Sequence, residues 1–174
     1  MDSFSQMTQD WANFFGALAQ VSGGLVGLVF VALTFNARAL GTGGDPLLGA
    51  LARQTFGDFL ILLLISLVML TPHFASANVG ATLLSFVAID MLRLVRSLMR
   101  LRRHLRGPSG RWEVIQRFVL SGMAHLLLGL VGLELMRGNT APGVTGSTLF
   151  AGIILMLLSG CRSAWLLVIQ EVDK

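Results

Sequence analysis

Apolar residues gather into five blocks along the chain, at roughly 11–36, 51–71, 77–97, 114–136 and 147–169. Each approaches the length of about twenty helical residues that crosses a hydrocarbon core. Turn-forming residues separate the blocks: Gly41, Gly43, Gly44 and Pro46, then Thr71-Pro72 to Asn78, then Gly107-Pro108-Ser109-Gly110, and last Asn139 to Gly146. The first block opens at Trp11 with no basic segment before it and is too long for a signal-peptide core, so it reads as a retained helix. The short link from Pro72 to Asn78 makes the third helix return antiparallel beside the second. Trp112 and Trp165 fall near block ends, where indole rings favour the membrane interface. The pattern predicts an all-α, polytopic transmembrane bundle of five spanning helices, forming a single integral membrane domain over residues 1–174.

Composition agrees, with 54% hydrophobic residues and a mean hydropathy of +0.75 that exceed what soluble domains of this length carry. The sequence pI of about 11.0 comes from a modest arginine excess, since net charge is only +4. The single cysteine, Cys161, excludes an internal disulfide framework, and Cys/His metal spacings are absent.

Seven arginines crowd into RLVRSLMRLRRHLRGPSGR, residues 93–111. Arginines beside helix ends stay on the cytoplasmic side, so this hairpin sets the orientation as N-terminus outside and C-terminus cytoplasmic. Arg93, Arg96, Arg100 and Arg103 recur at steps of three and four, opposite Leu94, Leu98, Leu101 and Leu105. The third helix is therefore expected to continue past the membrane. Its basic stripe, with Arg96, Arg100, Arg102, Arg103 and Arg106, suits anionic lipid headgroups, each exposed arginine contributing about 1 kcal/mol. Nucleic acid is not an expected partner, because the run lacks interleaved aromatic residues.

Charges inside the spans point to a buried polar network or a path, because each is costly in hydrocarbon unless paired or hydrated. Counting from the cytoplasmic ends puts Asp58, Asp90, Arg93 and Arg162 at comparable depth. Asp90 and Arg93 are spaced to pair within one helix. That leaves Asp58 and Arg162 to pair between helices. His125 falls near the middle of the fourth span, where an imidazole can bond across a helix interface or respond to protons. Glu134 and Arg137 read as a local surface pair. In the first helix Gln20, with Asn13 and Ser22, adds polar positions, while Gly16, Gly23, Gly24 and Gly27 make two small-residue rows that allow close helix contact. Two such faces suit a central helix, or one that meets its copies in a homo-oligomer. Gly129 lies in a second GLVGL stretch, at 129–133, read as a packing position.

The stretch WANFFGALAQVSGGLVGLVFVALTFNA, followed by RQTFGDFLILLLISLVMLTP, resembles a widespread group of uncharacterised small bacterial multi-pass membrane proteins. They share a Trp-x-x-Phe start, a Gly-Leu-x-Phe-Val-Ala core and a second helix ending at Pro. The likeness covers about the first 75 residues. It implies a bacterial inner membrane and brings no activity with it.

Enzyme chemistry lacks its parts. Ser121 lies one turn from His125, yet no orienting carboxylate is evident. His73 and His104 lie near opposite faces and cannot share a metal. No phosphate loop, dinucleotide fingerprint or zinc helix motif is present, so neither cofactor nor metal is expected. Two readings remain: an oligomeric ion channel or transporter-like pore with a charged layer near the cytoplasmic side, or a non-catalytic membrane partner that binds lipid or protein.

Overall fold

The computed structural model describes residues 3–35, 46–72, 75–102, 108–138 and 142–172. Among them are a short helix α1 (Ser3–Asp10) and five long ones: α2 (Ala12–Phe35), α3 (Pro46–Leu70), α4 (Ser76–Arg102), α5 (Pro108–Met136) and α6 (Pro142–Val172). Each long helix contains a span apolar and long enough to cross a bilayer. The five-span bundle read from the sequence is the observed architecture. α1 was not expected, and Trp11 forms the turn that joins it to α2.

Helix starts differ from the sequence reading for one shared reason. Pro46, Pro108 and Pro142, taken as linker residues, each occupy the first position of their helix. Proline is favoured there because its missing N–H is one of the donors the first turn leaves free, and its fixed φ already matches the helix. α5 ends where the reading placed it. Gly138 adopts a left-handed φ of 71° and its N–H donates to the Leu135 carbonyl, closing the last turn.

The helices alternate in direction. α3, α6, α5 and α4 form a ring in which each packs beside the next, with a lighter α3–α4 seam, and α2 lies outside against α3. One contiguous apolar core, including Phe15, Phe59, Leu62, Leu83, Leu128 and Ile153, runs through the assembly. Here the end of the bundle that holds Phe35, Ala52, Arg96, Val119 and Trp165 is called basal, and the opposite end apical. At the apical end Trp11 and Phe14 stack on Phe150, tying the start of α2 to α6.

The peripheral seat of α2 corrects the expectation of a central helix. A side chain added at Gly16, Gly24 or Gly27 would meet nothing within 4 Å, and at Gly23 only Leu63, 3.9 Å away. Gly129 makes ordinary contact with Val87 at 3.6 Å. The close approaches belong to other glycines. A Cβ on Gly80 would stand 2.6 Å from the Gly132 carbonyl and 2.8 Å from the Met136 nitrogen, so α4 and α5 cross there almost backbone to backbone. Gly160 likewise makes room for the Phe59 ring, which would lie 2.7 Å from an added Cβ. Without a hydrophobic drive between helices in lipid, such contacts supply the dispersion that holds a bundle together.

Gly80→Ala should therefore lower stability in detergent by about 1–3 kcal/mol, the usual effect of overpacking a tight contact. Gly24→Ala should leave it unchanged. Thermal unfolding of the two variants checks this, and equal loss in both would contradict the assigned crossing.

Candidate functional site

α3, α4 and α5 bring Asp58, Asp90 and His125 together inside the ring. Asp58 and His125 have no exposed surface and Asp90 has 6%. Depth explains the meeting. Asp58, Asp90 and His125 each stand six residues from Ala52, Arg96 and Val119, where the described apolar stretches of their helices end on the basal side. At 1.5 Å per residue all three lie about 9 Å along the helices from those positions, at one level. Ser159, six residues from Trp165 on α6, lies beside Asp58 and completes the layer. His125 thus belongs to the acidic layer.

Local packing fixes these side chains. Gly57 precedes Asp58 and lets the Asp90 carboxylate reach the α3 backbone, since Asp90 Oδ1 would be 3.4 Å from a Cβ at that position. Phe59, the next residue, enters the notch at Gly160 and anchors this turn of α3 to α6. On α5 the imidazole Nδ1 is 2.7 Å from the carbonyl of Ser121, one turn earlier. A carbonyl only accepts, so Nδ1 carries the hydrogen and donates it. Nε2 is thereby turned toward Asp90, whose Oδ2 is 2.8 Å away. That approach misses the direction of the ring N–H and is not an aligned hydrogen bond. Neither oxygen of Asp58 has an aligned hydrogen-bond partner among the described residues, and Asp90 and His125 are its charged neighbours.

The arginines expected beside these carboxylates stand elsewhere. Arg93 and Arg162 are exposed, and neither forms an ion pair among the described residues. Arginine has a long stem that carries its charge toward the interface. Helical phase does the rest: Arg93 lies about 60° round α4 from Asp90, at the edge of the inward face, where its long side chain reaches outward. Glu134 also departs from its expected partner, accepting a hydrogen bond from the Thr145 hydroxyl at 3.2 Å instead of pairing with Arg137. Gln20 is exposed on α2 and does not join the layer. Arg96 is exposed on α4 near its basal end, whereas Arg103, Arg106 and the side chains of Arg100 and Arg102 lie outside the described residues.

Hydroxyls are buried on both sides of the acidic layer, Thr55, Ser121 and Ser163 toward the basal end and Ser22, Ser66 and Thr145 toward the apical end. Fully buried apolar residues such as Leu62, Ile65, Leu83, Leu128 and Ile153 fill most of the apical interior around them.

Fold and site together define a multi-pass helical membrane protein with an acidic layer buried in its bundle. No protein-family model, curated protein or solved structure matches the chain.

Two adjacent carboxylates in a low-dielectric interior repel, so neutralising one relieves strain as long as no cation is bound. Asp58→Asn should raise stability in chelator-treated detergent solution by about 1–2 kcal/mol. Arg162→Gln, at an exposed and unpaired position, should stay within about 0.5 kcal/mol of wild type. Thermal or denaturant unfolding reads both, and a marked loss on Asp58→Asn would show that the carboxylate is held by favourable contacts instead.

Proposed function

We propose that this protein moves cations across the bacterial inner membrane, with the Asp58–Asp90–His125 layer as the point where the cation is held. One observation carries the reading: two aspartates fully or almost fully buried at one depth, with no arginine or lysine against them among the described residues. Ionisable residues inside membrane spans mark substrate and ion pathways because their solvation penalty is otherwise uncompensated. Close apolar packing through Leu62, Ile65, Leu83, Leu128 and Ile153 on the apical side supports gated transport over a permanently open channel.

The basal face is read as cytoplasmic, with the N-terminus outside, because the arginine-dense end of α4 lies there. The same basic residues favour anionic lipids on that face. The small-residue edge of α2 at Gly24 and Gly27, exposed and free of neighbours, supports a homo-oligomer in which a second copy lies along that helix. The cation site is complete within one protomer, so assembly would stabilise the protein without creating the path.

Purified protein in liposomes tests the function. Flux of a divalent or monovalent cation above protein-free vesicles is expected, and Asp58→Asn should reduce it at least tenfold. A bilayer that stays silent toward all cations would move the assignment to the non-conducting lipid- or protein-binding role. Orientation is checked separately with a reporter fused after Lys174. Activity restricted to the cytoplasm is expected, and periplasmic activity would invert the assignment.

A further inference from the structure

We propose that Asp58, Asp90 and His125 bind one divalent transition-metal cation, through a carboxylate oxygen of each aspartate and Nε2 of the histidine. The inference rests on reading this layer as a cation site and names the class of cation. One donor atom from each of the three buried residues lies within 4.8 Å of the other two. Donors around a zinc-like ion sit roughly 3.4 Å apart, given metal–ligand distances of about 2.1 Å. Small side-chain rotations close that difference.

Three independent features of the site point to an ion. The first is the close approach of two acceptors. Because Nδ1 gives its hydrogen to the Ser121 carbonyl, a neutral His125 has only an acceptor at Nε2, with a carboxylate oxygen 2.8 Å away. Two acceptors at that distance repel, and a cation shared by them turns the contact favourable. Histidines that bind metals commonly donate their other ring N–H to a backbone carbonyl, which fixes the tautomer and strengthens the donor. The second feature is that both oxygens of Asp58 are buried without an aligned hydrogen bond, with only the Ser159 hydroxyl close by beside Asp90 and His125. Unpaired acceptors at this depth carry a desolvation penalty of several kcal/mol. The third is charge. With their protons displaced, the two carboxylates and the neutral imidazole carry two negative charges, which one divalent cation cancels.

The donors also select the ion. An imidazole nitrogen with two carboxylate oxygens suits zinc, manganese, iron(II) or cobalt(II), and it disfavours magnesium and calcium, which take oxygen almost alone. Three protein donors leave coordination positions for water. Open coordination is found where a metal must react or exchange, whereas purely structural zinc sites are closed by four protein ligands.

The test uses the full-length protein purified in detergent, stripped with chelator and titrated with Zn²⁺ and Co²⁺. Wild type should retain one metal per chain by elemental analysis after gel filtration. Bound Co²⁺ should develop visible d–d absorption. Asp58→Asn and His125→Gln should each weaken binding at least tenfold, and Arg162→Gln should not change it. Should Asp58→Asn lose its monodisperse state, His125→Gln decides by itself, judged on protein with unchanged helical circular dichroism. A wild type that retains neither metal would overturn the proposal and leave a metal-free imidazolium–carboxylate contact, and a His125→Gln variant that binds as tightly as wild type would overturn it by removing the imidazole from the donor set. The liposome assay separates the two claims. Metal bound without flux sinks the transport reading and leaves the site standing, while flux of monovalent cations without metal uptake does the reverse.

Discussion

A carboxylate taken from water into a low-dielectric interior loses solvation worth several kcal/mol even after relaxation, and Asp58 and Asp90 place two such groups in one layer. The surrounding bundle is arranged around that constraint. α3, α4 and α5 must meet at a common depth to enclose both aspartates. Asp90 Oδ1 packs against the α3 backbone at Gly57, and Phe59 seats against Gly160, where no side chain would fit, to hold the same turn of α3 on α6. Among the described residues His125 is the one ionisable side chain that touches the pair with a nitrogen, and its orientation is set by its own helix through the Ser121 carbonyl. Apolar packing elsewhere could tolerate many exchanges of similar volume. This layer tolerates few.

Hydropathy made the five helices legible, because lipid imposes the same requirement on every crossing segment and little else satisfies it. The shared depth of Asp58 and Asp90 was also readable by counting from helix ends. Partner choice was not. Spacing of three residues suggested Asp90 with Arg93, but that rule concerns neighbours on one helix surface and says nothing about which surface faces inward. His125 reached the layer through helix packing, since its ligand-like neighbours come from two other helices. No local motif spans three helices, and so the absence of a zinc-type sequence pattern carried no information about a site built this way.

The glycines teach the same distinction. Gly23 and Gly27 satisfy a familiar spacing, yet α2 is held along one seam and leaves much of that edge open. Gly80, Gly132, Gly152 and Gly160 have no such spacing with one another on a single helix, and they carry the tight contacts. A spacing motif reports that a helix could be approached closely. Whether anything approaches depends on neighbours that lie far away in sequence. For α2 the missing neighbour is either lipid or another chain, and the small buried fraction of this helix makes it the element least committed to its own protomer.

The crossing of α4 and α5 at Gly80 and Gly132 has a mechanical meaning. With backbones nearly in touch near the apical end, these two helices have no room to slide or part there, and relative motion is confined to tilting about that point. A tilt of ten degrees about such a fulcrum moves atoms some 15 Å away by roughly 2.6 Å, given the helical rise per residue. Asp90 sits at that lever arm, ten residues from Gly80, and His125 at about 10 Å, seven residues from Gly132, so a modest scissoring of the pair would pull the two side chains apart while the far end stays clamped.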